Sequence, residues 1–242
     1  MKITHLIILL LPLISISYFC IYQLSRLSDV TPIRRVGFFI MGTGKYLKLV
    51  EQLIRSLDDH FCVNNKQIYV NYFVFTDNKT WTPVAQRFPS SNRQFRIIYR
   101  QNQNWTLNTL LRFEMILKIY DSLNLHAYDF LYWLDADMKM VDAICEDIFG
   151  DRVGTMHADY HTSEKVYPYE SRNKNSTAYI LPKLRYEHPY YVGSFFGGNS
   201  NEMKKLMTKC HQNIQFDLRE LNFIARVQDE SHLNKLVKRE RY

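Results

Sequence analysis

The stretch Val36 to Met41 is apolar at nearly every position, the pattern of a strand buried on both faces. Gly42, Thr43 and Gly44 end it. Tyr46, Leu47, Leu49, Val50, Leu53, Ile54 and Leu57 then recur at helical spacing, which predicts a helix to about His60. Ile68 to Phe75 is rich in β-branched and aromatic residues, stops at Thr76-Asp77 and predicts a second strand; Phe95 to Tyr99 predicts a third. Leu107 to Leu125 reads as one helix, with apolar residues at Leu110, Leu111, Met115, Leu117 and Ile119. Asp129 to Leu134 predicts a fourth strand that runs directly into Asp135-Ala136-Asp137. This succession predicts an α/β fold with a central, mostly parallel sheet flanked by helices. Ligands in such folds sit beyond the carboxyl ends of the strands, so the glycine turn after the first strand and the acidic end of the fourth are expected at one crevice. There is no internal repeat and no linker that divides the body.

Ahead of this body, Lys2 and His5 precede an apolar run from Leu6 to Tyr22, closed by Arg26. About 17 residues is the short end for a membrane-spanning helix. A cleaved signal peptide, cut after Ser15 and Ser17, is the rival reading; the apolar run continues through Phe19, Cys20, Ile21 and Tyr22, which favours an uncleaved anchor. The expected organisation is a tip and anchor over 1–24, a short stem over 25–35 and the globular body over 36–242. Asn78, Asn104 and Asn175 each open an N-x-S/T triplet, which supports a body facing the lumen of the secretory pathway.

Composition narrows the picture modestly. The chain has 242 residues, 46% apolar and 23% charged, with 17 Tyr and 15 Phe. That is enough chain for one ordinary globular domain. The net charge of +7 is spread along the sequence apart from Lys235, Lys238, Arg239 and Arg241. No nucleic-acid motif accompanies that cluster, so a small anionic ligand is expected and nucleic acid is not. The 4 cysteines, Cys20, Cys62, Cys145 and Cys210, lack C-x-x-C spacing, and the odd number in the body argues against a full disulfide framework.

Asp135 and Asp137 are the sharpest chemical feature. Carboxylates at i and i+2 share one side of an extended segment. A hard divalent ion takes oxygen ligands and bridges such carboxylates to a diphosphate. A lone D-x-D is common and more often marks a solvated loop; its position after an apolar strand strengthens it. Gly197-Gly198, after Tyr190, Tyr191, Phe195 and Phe196, reads either as a hairpin turn or as a sugar-binding wall that backbone approaches closely. Asp229 is the expected N-cap of a last helix, with Glu230 and His232 in its first turn. A carboxylate there is structural, or it serves an oxocarbenium-like centre.

Together these segments resemble the glycosyltransferase family of the ABO histo-blood-group transferases and the α-1,3-galactosyltransferases, glycosyltransferase family 6. The resemblance runs from about Val36 to Leu236. Its segments are F-F-I-M-G-T-G-K-Y at 38–46, Y-F-V-F-T-D at 72–77, N-W-T-L-N-T-L-L-R-F at 104–113, L-D-A-D-M at 134–138, G-T-M-H at 154–157, Y-P-Y-E-S-R at 167–172, S-T-A-Y-I at 176–180, Y-Y-V-G-S-F-F-G-G at 190–198 and D-E-S-H-L-N-K at 229–235. It implies a GT-A-type nucleotide-sugar-binding fold. It implies retaining transfer of galactose or N-acetylgalactosamine, in α linkage, from a UDP-sugar donor to a galactoside-type glycan acceptor. By position it places Phe39, Ile40, Tyr46 and Arg112 around uridine and phosphate, and Asp135 and Asp137 on Mn²⁺. It places His157 at the acceptor, and Val192, Gly193 and Ser194 where donor and acceptor are chosen. It makes Glu230 the catalytic carboxylate, also near acceptor, and Asp229 its donor-binding neighbour. A Golgi or other secretory-pathway membrane, with the catalytic domain lumenal, follows from the same resemblance.

Three departures accompany it. Val227 and Gln228 stand where the family shows W-H, and the tryptophan there helps contact acceptor. Ser194 is neither the glycine nor the alanine of the two blood-group donors. Members of the family continue past the last segment with basic residues that close over the phosphates, whereas this sequence ends at Tyr242. An alternative expectation is therefore a catalytically weak, membrane-anchored homologue that binds sugar nucleotide or glycan without the closing tail.

Overall fold

The computed structural model describes residues 33–63, 65–82, 92–158, 167–182 and 189–239. The expected anchor, most of the stem and Arg241 of the basic cluster lie outside them. Among the described residues no helix is long and apolar enough to cross a membrane.

The elements are β1 (Arg34–Met41), α1 (Leu47–His60), β2 (Ile68–Thr76), β3 (Arg93–Tyr99), α2 (Trp105–Leu110), α3 (Arg112–Ile119), β4 (Phe130–Asp135), β5 (Val153–Met156), β6 (Tyr191–Asn199), α4 (Ser200–Glu220) and α5 (Gln228–Arg239). They form a six-stranded sheet in the order β3-β2-β1-β4-β6-β5. The first four strands of that order are parallel, and β6 and β5 join antiparallel. The α/β architecture anticipated from sequence is therefore observed. Arg34 and Arg35, expected at the end of the stem, open β1 instead.

Alternation along β1 feeds two cores. Val36, Phe38 and Ile40 face one layer with Val50, Leu53, Ile54 and Leu57 of α1. Phe39 faces the other, with Phe73, Leu131, Trp133 and the apolar sides of α3, α4 and α5. Spacing of i, i+3, i+4 and i+7 on α1 gives the single apolar stripe that such a layer requires.

The long helix expected over Leu107 to Leu125 is broken. Asn104 caps α2 earlier than expected, its Oδ1 accepting from the Leu107 N–H at 2.9 Å. Leu111, at φ −94° and ψ 0°, separates α2 from α3. Asn124 then turns left-handed at φ 52°. The break is what starts a new helix at Arg112.

Cys62 and Cys145 form a disulfide with Cα atoms 4.5 Å apart, while Cys210 is free and buried. The odd count argued against a full framework, and the bond found among the described residues joins the end of α1 to the segment after β4. Hydrogen bonds lace the same seam: Cys62 N–H to Ile144 O at 2.9 Å, Ile144 N–H to His60 O at 3.1 Å, and Met140 N–H to Ser56 Oγ at 3.0 Å.

Gly197 and Gly198 are neither a hairpin turn nor a ligand wall. Both lie inside β6, and a Cβ on Gly197 would stand 2.3 Å from Leu131 O of β4. The glycine is there so that two strands can close, not so that a sugar can approach.

Candidate active site

Met41 and Asp135 are paired in register at the carboxyl ends of β1 and β4. The chain leaves β1 toward β2 on one side while β4 lies on the other, the arrangement that opens a crevice in an α/β sheet. A cavity of about 390 Å³ occupies that place, a size usual for small-molecule sites. Tyr46, Arg112, Asp135, Asp137, Val192, Gly193, Ser194, Asp229 and Glu230 all line it. Phe39 and Ile40 do not: both are fully buried, one in each core, and Met41 and Thr43 line the cavity in their place. Position inside a strand dictates this, because only the strand's end reaches the crevice. His157 also lies off the lining, at the end of β5, where its N–H donates to Tyr190 O at 2.8 Å.

Arg112 organises the floor. Its Nε lies 2.7 Å from Asp229 Oδ2, and its Nη1 donates to Gly193 O at 2.6 Å and to Asp135 Oδ1 at 3.4 Å. The guanidinium also lies 4.9 Å over the Trp133 ring. It thereby ties α3, β4, β6 and α5 to one planar cation. Asp229 is consequently not the N-cap expected from sequence: α5 starts at Gln228, and the Asp229 side chain turns inward to the arginine. Burial lifts the Asp229 carboxyl to about 7, against the pull of Arg112 and with Asp135 and Glu230 adding to the rise.

Asp135 is the last residue of β4 and Asp137 belongs to the turn after it, so the two do not share an extended segment; the turn nevertheless brings both to the cavity. Trp133 Nε1–H donates to Asp135 Oδ1 at 2.7 Å, which fixes that carboxylate and leaves Oδ2 without a protein partner among the described residues. Asp137 is exposed, and among the described residues its carboxylate accepts no protein hydrogen bond. Two such carboxylates fit a hard divalent cation that draws its other oxygens from ligand and water. Among the described residues no group of three or more His, Cys, Asp or Glu gathers to enclose an ion, so the fit is to an open site.

Glu230 is held from two sides. Tyr190 O–H donates to Oε1 at 2.6 Å and Gly193 N–H donates to Oε2 at 2.5 Å. A Cβ on Gly193 would stand 3.2 Å from Oε2, so the glycine makes room for the carboxylate. Asn234, one turn on, accepts from Tyr191 N–H and donates to Tyr191 O, locking α5 to β6.

Two buried polar networks hold the approach to α5. Glu170 accepts from the Arg172 guanidinium and from the N–H groups of Arg172 and Arg226; burial opposes its ionisation, and these donors outweigh burial and keep it below the usual carboxylate range. His232 sits between Thr177 and Asp217, and Ser176 O–H donates to Asp217 Oδ2 at 2.5 Å. Burial pulls the His232 imidazole down to about 4.

Sequence reasoning assigned no role to Tyr190 or Trp105. Tyr190 is almost fully buried beside Tyr169, and its hydroxyl is spent on Glu230. Trp105 opens α2 at the cavity and is 62% exposed. Trp105 directly follows the capping Asn104 and Tyr190 stands two residues before Val192-Gly193, and a large ring at such a position was the available signal.

The sequence model of Glycosyltransferase family 6 matches residues 15–241. The chain is 33% identical over 202 residues to the O-antigen biosynthesis glycosyltransferase WbnI of Escherichia coli, a match covering 82% of this chain and 80% of that protein. It is 32% identical over 204 residues to Histo-blood group ABO system transferase 1 of Rattus norvegicus, covering 84% of this chain and 56% of the relative. It is 31% identical over 202 residues to Globoside alpha-1,3-N-acetylgalactosaminyltransferase 1 of Gallus gallus, covering 83% and 56%. The chain thus spans little more than half the length of these vertebrate relatives.

Proposed function

The chain belongs to glycosyltransferase family 6, and on that premise we propose that it moves galactose or N-acetylgalactosamine from a UDP-sugar to a galactoside-type glycan, in α linkage and with retention at the anomeric carbon. The fold is GT-A type. Relatives named as O-antigen, histo-blood-group and globoside transferases support a saccharide acceptor.

The observation that carries the reading is the charge of the cavity. Asp135, Asp137, Asp229 and Glu230 face it, against Lys45 and Arg112. Such a surface repels a bare nucleotide diphosphate, and it accepts one that arrives with a divalent cation. Asp135 and Asp137 are the residues that would hold Mn²⁺, which when bound supplies neutralisation of the departing diphosphate. The intact carboxylates favour transfer over the binding-only alternative.

The protein's own share is positioning and electrostatics. Arg112 keeps Asp135 and Asp229 at fixed places on the floor. Glu230, gripped at both oxygens, presents an oriented negative charge where positive charge develops at the anomeric carbon. Tyr46 and Trp105 offer rings at the rim for a flat base or sugar face. The reading extends to a Golgi or similar membrane setting. The apolar run Leu6–Tyr22 in the sequence supports it, and so does the Cys62–Cys145 bond, since disulfides persist in oxidising compartments.

The test is to incubate the purified protein with Mn²⁺, a set of UDP-sugars and a panel of galactosides, and read products by mass. Transfer of one hexose or N-acetylhexosamine that stops with EDTA and with Asp137→Asn is expected. Nucleotide binding of equal affinity with and without metal, and no product, would overturn it.

A further inference from the structure

Among the described residues, four that are not glycine adopt positive φ: Cys62 at 45°, Asn124 at 52°, Asn222 at 45° and Gln228 at 35°. Such backbone is strained for an L side chain and is the region that favours glycine. Three of the four have a local reason. Asn tolerates the left-handed region better than other residue types, and the Cys62 side chain is spent in the disulfide. Gln228 has neither reason. It is the first residue of α5, stands directly before Asp229 and Glu230, and lines the cavity.

The surrounding chain forces the conformation. Gln228 N–H donates to Ala225 O at 3.1 Å, Val227 N–H donates to Ser231 Oγ at 3.0 Å, and Ser231 N–H donates to Val227 O at 3.1 Å. Glycine would satisfy this turn without strain, so a side chain kept here points to a task for the side chain. Among the described residues the amide of Gln228 has no protein hydrogen-bond partner. A neutral group that both donates and accepts matches a sugar hydroxyl rather than a phosphate.

We propose that Gln228 is a specificity-determining residue whose side-chain amide hydrogen-bonds a hydroxyl of one of the two sugars, donor or acceptor. The proposal rests on the transferase reading above, and it concerns a residue at which this chain departs from the pattern it otherwise resembles.

The test compares wild type, Gln228→Gly and Gln228→Ala. Transfer kinetics would be measured with each substrate varied. Binding of UDP, UDP-galactose, UDP-N-acetylgalactosamine and a simple galactoside would be measured by calorimetry, and melting temperature would be recorded. Loss of one neutral hydrogen bond predicts a rise of roughly threefold to tenfold in the KM or Kd of one sugar substrate, with free UDP affinity unchanged. A rise for the sugar nucleotides assigns the hydroxyl to the donor; a rise for the galactoside assigns it to the acceptor. Gln228→Gly is expected to melt higher than wild type because the strain is relieved, while Gln228→Ala is not. Unchanged constants for every sugar in both variants would overturn the proposal. Absence of transfer by wild type would strike the transferase reading instead, and the calorimetric comparison would still decide the role of Gln228.

Discussion

Arg112 Nε lies 2.7 Å from Asp229 Oδ2, and neither side chain is more than 5% exposed. A buried pair of this kind is costly to break from one side, because the partner is left charged and dry. Arg112→Met is expected to lose about 3–5 kcal/mol of stability in denaturant titrations. Arg112→Met combined with Asp229→Leu is expected to recover most of that loss while transfer stays abolished. A single variant as stable as wild type would show that the pair contributes little to folding.

Glu230 depends on Tyr190 and Gly193 for its seat. Glu230→Gln is expected to fold normally, bind UDP as wild type does and lose about 10²–10³-fold in kcat. Gly193→Ala is expected to lower kcat with UDP affinity unchanged, since its Cβ would crowd Oε2 at 3.2 Å. Transfer that survives in Glu230→Gln would remove the carboxylate from the chemistry.

The His232 imidazole has an ordinary value near 6.5 and is pulled down to about 4 by burial. Between those two values the unfolded chain binds the proton and the folded one does not. Stability from this group is therefore complete above about 6.5 and is lost as pH falls toward 4. Asp229 acts in the opposite sense over a similar window, because its value is raised. The difference between wild type and His232→Gln isolates the histidine. It is expected to change by on the order of 2 kcal/mol between pH 7 and pH 4, measured by denaturant titration at each pH. A difference that does not vary with pH would refute the assignment.

Reduction of Cys62–Cys145 is expected to cost about 2–4 kcal/mol. Because the bond laces the segment that follows Asp137, Mn²⁺-dependent UDP affinity is expected to fall as well. Titration of the Cys62→Ser, Cys145→Ser double variant, with and without thiol, checks both; thiol should then have no further effect.

Most of this architecture was legible along the chain. The strands at Val36–Met41 and Ile68–Phe75 and the helix to His60 are set by unbroken or evenly spaced apolar residues, and their ends agree with the structure to within two residues. What failed depended on contacts between distant parts. No local pattern reveals that Leu111 breaks a helix, that Gly197 closes on the backbone of β4, or that Asp229 prefers a buried arginine to its own helix terminus. Phe39 and Ile40 lie off the cavity lining for a related reason: resemblance fixes neighbourhood, but which strand residue emerges at the crevice is decided by register, and here that residue is Met41. The cysteine count left one bond possible, and only the fold could say which two thiols meet.

That bond links positions 83 residues apart in sequence. A protease that nicks the polypeptide once anywhere between Cys62 and Cys145 leaves two fragments travelling as one species on a non-reducing gel. Limited digestion confined to that loop will thus report an uncut body until thiol is added to the sample buffer, whereas a cut after Cys145 releases its fragment without thiol.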